Sequence, residues 1–419
     1  MHDFHYHQNE LYCEEVPIKK IAEQVGTPFY LYSNRTLENH FKVFDSAFSE
    51  IDHLTCFSVK ANSNLAVLKT FVNLGGGMDI VSGGELFRAL RAGANPEKVV
   101  FSGVGKQSAE IEYALKSGIL MFNVESAQEL ATINQVAGRI GIKAKIALRV
   151  NPHIDPKTHP YISTGLKKNK FGIEITQALK EYRSAKQLEH IEIIGIDCHI
   201  GSQITELQPF VETLQKVKEL VSTLREESID INYIDLGGGL GITYHQEESP
   251  HPREYAAALI EEMKDMNCTL ILEPGRVIAG NAGILVSRVL YLKEGTEKTF
   301  VIVDAGMNDL IRPSLYDSFQ AIQPVVKNEE ETLLADIVGP ICESGDFFAK
   351  GRKLPDLKPD NLIAIMSAGA YGFTMSSNYN SRLRVPEVLV RGNDFYLVKE
   401  RENYEDLIRG EKIPEFLNQ

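Results

Sequence analysis

The sequence predicts an α/β protein in which a (β/α)8 barrel is joined to a mostly antiparallel β domain. First, between residues 54 and 276, eight short β-branched or apolar runs alternate with longer segments of helical spacing, which is typical of parallel βα units. Second, this alternation stops near residue 280, and strand-like runs separated by Gly, Pro, Asn and charged turns follow. Eight consecutive units favour a closed barrel, and an open doubly wound sheet is the alternative.

The eight predicted barrel strands are short apolar runs. They are LTCFSVK (54–60), GMDIVS (77–82), KVVFSG (98–103), ILMFNVES (119–126), AKIALRVN (144–151), IIGIDCHIGS (193–202), INYIDLGGG (231–239) and TLILEPGR (269–276). Helices are expected between them. NLAVLKTFVNLG (64–75) carries apolar residues at helical spacing, and Ser126 with Glu129 forms a predicted capping box at the start of another helix.

The barrel is predicted to span residues 36–279, inserted between two pieces of one β domain, 1–35 and 280–419. The first piece contains the strand-like run TPFYLYS (27–33). The second contains AGILVSRVLYLKEG, KTFVIVDAG, ETLLADIVGPIC, NLIAIMSAGAYG and VPEVLVRGNDFYLVKE.

Two further segments have a bearing on function. His2, His5 and His7 alternate as in a strand, but we interpret them as part of a solvated terminus, and no metal site is expected. Residues 152–171 form a long Pro- and Gly-containing stretch after the fifth predicted strand. A loop of this length on a barrel is often a functional lid.

Length, composition and charge are those of an ordinary globular protein and argue against several classes. A chain of 419 residues is long for one core, so two domains are expected. The net charge of −13 argues against a nucleic-acid surface. No run approaches the roughly 18 apolar residues of a membrane helix, and the N-terminus has no apolar signal segment. Five cysteines without paired spacing are typical of reduced thiols in a cytoplasmic protein.

Polar side chains recur at the C-terminal ends of the predicted strands, where barrel enzymes carry their chemistry. They are Lys60, Asp79, Ser82, Ser102, Asn123, Glu125, Arg149, Asn151, Asp197, His199, Ser202, Asp235, Glu273 and Arg276. Each residue alone would be unremarkable. Their shared position predicts one active site at this end of the barrel.

A glycine turn and one of these side chains, Lys60, together predict a pyridoxal 5′-phosphate site. Gly237, Gly238 and Gly239 follow the seventh strand, where barrels often bind phosphate, although a purely structural turn is the alternative. Lys60 ends the first strand, and a lysine amine is the group that binds the aldehyde of this cofactor. Glu273, one strand from the glycines, is the candidate carboxylate that keeps the ring nitrogen protonated.

Two of three other candidate side chains have both a cofactor interpretation and a structural one. His199 would lie flat against the cofactor ring or would be a hydrogen-bonded core histidine. Asp79 would hold the Lys60 end of the cofactor or would cap a loop. Ser202 would donate its hydroxyl to the phosphate.

Six barrel motifs occur in order along the chain: FSVKAN (57–62), DIVSGGEL (79–86), KFGI (170–173), CHIGSQ (198–203), DLGGGLG (235–241) and EPGR (273–276). With them the chain resembles the alanine-racemase-fold family of pyridoxal-phosphate decarboxylases. DAGMNDLIRPSLYDS (304–318), GPICESGD (339–346) and GAYGFTMSSNYNSR (369–382) narrow the resemblance to its diaminopimelate decarboxylase branch. The resemblance implies a pyridoxal-phosphate barrel, a C-terminal β domain and homodimers that build each active site from both subunits.

The resemblance also implies a role for each matching residue. Lys60 is the lysine that binds the cofactor, Glu273 faces the ring nitrogen and His199 stacks on the ring. The phosphate is held by Gly237, Gly238, Gly239, Gly275 and Arg276, with Ser202 and Tyr371 nearby. Substrate is bound by Arg276, Arg312, Tyr316 and Tyr371. The partner subunit supplies Cys342 as proton donor and Glu343, which recognises the far ammonium group of the substrate.

The implied reaction is decarboxylation of meso-2,6-diaminoheptanedioate at its D-configured centre, giving L-lysine and carbon dioxide in the last step of lysine biosynthesis. The residue types suit these roles, because arginine matches carboxylates and a thiol is a weak acid at neutral pH. One alternative is a decarboxylase of ornithine, arginine or lysine, which would carry Asp where this chain has Glu343-Ser344. The others are a racemase, which needs two bases, and a non-catalytic regulator, which would be expected to have lost Lys60 or Cys342, although both are present here.

Two residues depart from the family pattern. Ser58 stands where alanine is more usual, and Leu383 stands where proline is expected. Neither has an implied role, so both departures are expected to affect only local packing.

Overall fold

The computed structural model describes residues 2–155, 170–327 and 332–417. Two compact units make up the chain: Thr36–Asn281 is one, and Met1–Arg35 with Ala282–Gln419 is the other. The lid predicted within 152–171 falls mainly on residues 156–169, which lie outside the described residues.

The N-terminal piece begins with a small antiparallel sheet. Its elements are β1 (Phe4–His7), β2 (Glu10–Cys13), β3 (Val16–Pro17), helix α1 (Ile18–Val25) and β4 (Phe29–Ser33). The three histidines are exposed, as expected of a solvated terminus, but the segment is not ragged, because His5 pairs with Tyr12 across β1 and β2. Helix α1 was not predicted; it buries Ile18, Ile21 and Ala22, the i, i+3, i+4 face of an amphipathic helix.

The barrel unit alternates strands and helices along the chain. Its elements are α2 (Asn34–Ser46), β5 (His53–Ser58), α3 (Leu65–Asn73), β6 (Gly77–Ile80), α4 (Gly83–Arg91), β7 (Val99–Phe101), α5 (Ser108–Ser117), β8 (Met121–Val124), α6 (Ala127–Ile140), β9 (Ala144–Asn151), β10 (Ile173–Glu174), α7 (Ile175–Lys186), β11 (Ile191–Asp197), α8 (Gln208–Glu226), β12 (Tyr233–Asp235), α9 (Pro252–Met263), β13 (Thr269–Leu272) and α10 (Arg276–Ala279).

Eight parallel strands close on themselves. Pairing runs β5–β6–β7–β8–β9–β11–β12–β13, and β13 pairs with β5. Closure confirms the predicted barrel and excludes the open sheet, because each of these strands has a neighbour on both sides. The short strand β10 is an addition that pairs with β9. Several predicted strands were too long; β11 ends at Asp197, and residues 198–202 continue as a loop.

Local signals set the beginnings of two barrel helices. The side chain of Asn64 accepts a hydrogen bond from the Ala66 N–H at the start of α3. Ser126 caps α6 by accepting from the Glu129 N–H, as predicted. The reciprocal half of the predicted capping box is wrong, because the Glu129 carboxylate instead accepts from Lys106 Nζ at 2.7 Å and from the Glu125 N–H at 3.4 Å.

The C-terminal piece of the other unit is mostly β structure. Its elements are β14 (Gly283–Glu294), β15 (Thr299–Val303), α11 (Arg312–Tyr316), β16 (Ile322–Pro324), β17 (Thr332–Val338), β18 (Phe347–Pro355), β19 (Leu362–Ile365), β20 (Glu387–Arg391), β21 (Asp394–Lys399) and α12 (Tyr404–Leu407). The main sheet has the order β18–β17–β15–β14–β4–β20–β21, with β19 also paired to β14 and β16. Most pairs are antiparallel, as predicted; β15–β17 and β4–β20 are parallel.

Strand β4 ties the two chain ends together, since it lies between β14 and β20. Its residues Phe29 and Leu31 are buried in one apolar cluster with Ile284, Val388 and Leu11. Among the described residues, no helix combines the length and the apolar character that crossing a bilayer requires.

Candidate active site

The C-terminal ends of the barrel strands carry a concentration of buried polar side chains. They are Asp79, Ser102, Asn123, Glu125, Arg149, Asn151, Asp197, Asp235, Glu273 and Arg276. Parallel strands that close into a barrel end on one face, so these groups converge there. Buried polar groups cost free energy unless they are hydrogen-bonded, so their partners reveal what the site is arranged to do.

Lys60 follows β5 and pairs with a carboxylate on the neighbouring strand. Its Nζ donates to Asp79 Oδ2 at 2.6 Å. The Asp79 side chain is fully buried, whereas the lysine side chain is 34% exposed, so the amine is accessible and its partner is not. Such a pair holds the amine at the strand end with its charge compensated.

Ser58 donates to the same carboxylate. Its Oγ lies 2.7 Å from Asp79 Oδ2 and 3.0 Å from the carbonyl oxygen of Glu273. The contact follows from strand register, because Ser58 and Asp79 are direct partners across β5 and β6. The expectation that this departure affects only local packing is therefore wrong.

An amide on β8 links two buried carboxyl groups. Asn123 Nδ2 donates to Asp235 Oδ2 and to Ser102 Oγ, both at 3.0 Å. Ser102 Oγ in turn donates to Glu273 Oε1 at 3.2 Å. Glu273 is therefore oriented by side chains from other strands, which is the arrangement expected for a carboxylate with a directed role.

Burial and mutual repulsion shift the titration of these acids. Burial, followed by the charges of Asp235 and Asp79, raises the pKa of Glu273 well above its usual range. Burial likewise raises the pKa of Asp235 to about 6, and burial with the Asp235 charge raises that of Asp197. Such a cluster is stabilised by a buried cation, and the protonated pyridine nitrogen of pyridoxal phosphate is a cation of this kind.

The glycine turn after β12 is close-packed. Gly237 and Gly239 have φ values of +62° and +113°, which favour glycine. A Cβ on Gly237 would lie 2.5 Å from His199 Nδ1, and one on Gly238 would lie 2.2 Å from the carbonyl oxygen of Glu273. The turn therefore places backbone directly between the candidate stacking residue and the candidate ring-nitrogen partner.

His199 is neutral in this setting. Burial, together with the positive charges of Arg149 and Lys60, lowers its pKa well below the usual value. The Gly238 N–H donates to His199 Nδ1 at 3.2 Å, so Nδ1 is the acceptor and the proton lies on Nε2. A neutral, oriented imidazole is suited to lie against an aromatic ring.

The predicted phosphate-binding residues are connected in the structure. Arg276 Nη2 donates to Ser202 Oγ at 3.1 Å, and its Nη1 donates to Tyr244 OH at 2.6 Å. A Cβ on Gly239 would lie 2.4 Å from the carbonyl oxygen of Gly201, so the glycine turn adjoins the loop that carries Ser202. Guanidinium, hydroxyl and backbone N–H groups are the donors that bind phosphate.

Two features of this end of the barrel were not assigned from the sequence. Arg149 Nη1 donates to Glu125 Oε1 at 2.6 Å, and the Gly172 N–H donates to the other oxygen of that carboxylate at 2.7 Å. Both side chains were noted at strand ends, but only the fold shows that they hold residue 172. Tyr244 lies in an irregular segment, so its contact with Arg276 left no signal in the sequence.

The remaining predicted residues belong to the β domain. Arg312 is buried on α11, with its guanidinium carbon 6.0 Å from the ring centre of Tyr316. Cys342 and Glu343 are exposed on a turn. Tyr371 has a positive φ of 55°.

Asp346 supports the turn that carries Cys342, although it was not among the predicted site residues. Its carboxylate accepts from the Met307 N–H at 2.6 Å and from the Ile341 N–H at 2.7 Å. The Cys342 N–H donates to Asn380 Oδ1 at 2.8 Å. A turn held at several points presents its thiol in a defined position.

A protein-family comparison agrees with the barrel chemistry. Residues 34–280 match the family described as "Pyridoxal-dependent decarboxylase, pyridoxal binding domain". The fold and the site thus define a pyridoxal-phosphate-dependent decarboxylase, and the cofactor is pyridoxal 5′-phosphate.

Full-length relatives narrow the class. Diaminopimelate decarboxylase of Vibrio cholerae is 52% identical over 406 residues, which span 96% of this chain and 97% of that protein. The crystal structure of diaminopimelate decarboxylase from Helicobacter pylori complexed with L-lysine has a TM-score of 0.91 at 45% identity, covering 94% of this chain and 98% of that one. The corresponding M. jannaschii structure with L-lysine gives 0.94 at 37% identity, covering 99% and 98%. The chain belongs to the diaminopimelate decarboxylase family.

Proposed function

We propose that this protein decarboxylates meso-2,6-diaminoheptanedioate to L-lysine and carbon dioxide, the last step of lysine biosynthesis. The observation that carries the proposal is the Lys60–Asp79 pair, at the mouth of a pyridoxal-binding barrel, in a chain with full-length similarity to diaminopimelate decarboxylases. The pair supplies an amine for a carbonyl cofactor.

The barrel residues have the chemistry to hold the cofactor. Lys60 would bind its aldehyde, with Asp79 as the partner of the free amine, Glu273 would keep the ring nitrogen protonated and His199 would contact the ring. The phosphate is held by Ser202, Gly237, Gly238, Gly239, Gly275 and Arg276, with Tyr371. The chemistry that bound pyridoxal phosphate would supply is an electron sink for the carbon that loses carbon dioxide.

The substrate has two carboxylates and two ammonium groups, and the chain offers partners for both kinds of charge. Arg276, Arg312, Tyr316 and Tyr371 would bind the substrate, the arginines by matching a carboxylate with two parallel donors. Glu343 would pair with the far ammonium group, which selects a long diamino acid over a shorter one.

We further propose a homodimer with shared active sites. Cys342 and Glu343 are exposed on a braced turn, which supports their being supplied to a partner subunit's site. Cys342 would protonate the carbon that has lost carbon dioxide, because a thiol donates a proton readily near neutral pH. His199 orients the cofactor in the subunit that provides Lys60.

A cytoplasmic location, without nucleic-acid or membrane partners, is also part of the proposal. All five cysteines are free, as a reducing compartment would keep them. The net charge of −13 disfavours binding to a polyanion.

The test is incubation of the cofactor-loaded protein with meso-2,6-diaminoheptanedioate, followed by detection of lysine and carbon dioxide. Parallel reactions with ornithine, arginine and lysine would reveal the alternative decarboxylase, and chiral analysis of the remaining substrate would reveal racemisation. Lys60→Ala should abolish lysine formation. Near-normal turnover in that variant, or no lysine from the fully loaded wild type, would refute the proposal.

A further inference from the structure

The Ser58 hydroxyl contacts two residues to which the proposed reaction gives a role. Its Oγ is 2.7 Å from Asp79 Oδ2 and 3.0 Å from the Glu273 carbonyl oxygen, and Ser58 is 2% exposed. A hydroxyl has one hydrogen, so it donates fully to only one of two acceptors at a time. The hydrogen can therefore shift toward whichever acceptor is short of donors.

Asp79 is the acceptor whose supply of donors changes during the reaction. Its Oδ2 receives both Lys60 Nζ and Ser58 Oγ, and Oδ1 has no hydrogen-bond partner among the described residues. When the Lys60 amine leaves Asp79 to bind the cofactor, the buried carboxylate loses its charged donor. Ser58 is then the donor that remains on Oδ2, and leaving a buried carboxylate without one is costly.

The second acceptor joins Ser58 to the rest of the cofactor site. The Glu273 carbonyl oxygen is the atom against which Gly238 packs, with room for no Cβ between them. The Glu273 N–H also donates to the Gly237 carbonyl at 2.8 Å. One hydroxyl therefore links the end of the lysine strand with the backbone of the ring-nitrogen partner and the glycine turn.

We propose that Ser58 is a positioning residue that acts through Asp79, holding this carboxylate in place whenever the Lys60 amine moves between Asp79 and the cofactor. The inference deepens the proposed function and rests on it. Without the hydroxyl, Asp79 would be free to rotate or to take up a proton when Lys60 departs, and the return of the amine would be slower.

The test compares Ser58→Ala in two backgrounds, wild type and Asp79→Asn. The first readout is the dissociation constant of pyridoxal phosphate for the cofactor-free protein, and the second is kcat and KM for lysine formation. Ser58→Ala should weaken cofactor binding and lower kcat by about tenfold each, with KM changed less than about twofold, as expected for losing a hydrogen bond to a charged group. In the Asp79→Asn background the same substitution should change cofactor binding less than about twofold.

Two further variants separate positioning from stability. Thr213→Val removes another buried hydroxyl, whose Oγ1 donates to the Pro209 carbonyl on α8, and should leave cofactor binding and kcat unchanged. Ser58→Cys keeps a weak donor and should lie between serine and alanine. Borohydride capture of the cofactor on Lys60, located by peptide mass spectrometry, verifies loading in every variant.

The outcomes distinguish the inference from the function on which it rests. If wild type binds the cofactor on Lys60 and makes lysine while Ser58→Ala matches it in both readouts, the positioning role is overturned. An equal loss in both backgrounds would also overturn it, because Ser58 would not act through Asp79. If wild type itself fails to capture the cofactor on Lys60, the proposed function fails instead.

Discussion

The side-chain nitrogen of Asn123 lies 3.0 Å from Oδ2 of Asp235, and both side chains are fully buried. The same amide nitrogen donates to Ser102 Oγ, which donates to Glu273. The Asn123 amide and the Ser102 hydroxyl thus form a chain of donors between Asp235 and Glu273.

We expect Asn123→Leu to lower the free energy of unfolding of the cofactor-free protein by about 2–3 kcal/mol, because it leaves buried acceptors unpaired at nearly constant volume. Urea denaturation measures the change. The matched control is Asn134→Leu, which removes a half-buried amide whose Oδ1 accepts from the His190 N–H. Equal losses in the two variants would contradict a special role for the Asn123 network.

The buried Lys106–Glu129 pair predicts a large effect on stability. The Lys106 side chain is fully buried, and its Nζ lies within 2.8 Å of Glu129 Oε1 and of the Gly103 and Asn123 carbonyl oxygens. Lys106→Met should lower the free energy of unfolding by about 3–5 kcal/mol, since it leaves a carboxylate buried without its partner. Lys106→Met combined with Glu129→Met should recover part of that loss. Lys116→Met, at an exposed pair with Glu112, serves as the control and should change little.

Asp309 in the β domain predicts a pH dependence of stability. Burial raises its pKa from 3.8 to about 7, so between these values the folded state holds a proton that the unfolded chain does not. Its contribution to stability is therefore full at low pH and is lost as pH rises through about 7. Asp309→Asn should flatten the dependence of the unfolding free energy between about pH 4 and about pH 7. The exposed Asp394→Asn is the control, and an unchanged slope in Asp309→Asn would contradict the prediction.

Subunit mixing tests the shared site. Lys60→Ala and Cys342→Ala dimers should each be inactive, and a hybrid dimer should regain one complete site. After random exchange of equal amounts, about a quarter of the sites are complete, so activity should recover to about that fraction of wild type. Mass spectrometry of the intact dimers verifies exchange. Verified hybrids without activity would contradict a site built from two subunits.

The barrel could be predicted because its signal is repeated. Eight βα units each carry the same pattern, so an error in one strand end, such as the overlong run at 193–202, leaves the fold unchanged. Helix α1 has only eight residues and lies between strand-like runs, so its helical period could not be distinguished from the alternation of a strand. Local patterns identify elements well when several copies agree.

The sequence predicts the residues whose side-chain chemistry indicates a role in the site, but not the hydrogen bonds that hold them in place. Lys60 and Glu273 have side chains whose chemistry indicates a task, whereas Ser58, Asn123 and Asp346 act through partners distant in sequence. Ser58 reaches Asp79 because β5 and β6 place them side by side, and this register is known only from the folded barrel. The sequence can therefore predict a catalytic or cofactor-binding group without predicting the hydrogen bonds that support it.

The place of β4 between β14 and β20 has a consequence for how this chain can be synthesised and divided. Strand β4 is synthesised before both of its partners, which follow more than 250 residues later at Gly283–Glu294 and Glu387–Arg391. A fragment that starts at residue 282 would lack a central strand, whereas a circularly permuted chain joining both termini and opening elsewhere would keep the sheet intact. The β domain is thus completed only when the C-terminal strands emerge from the ribosome.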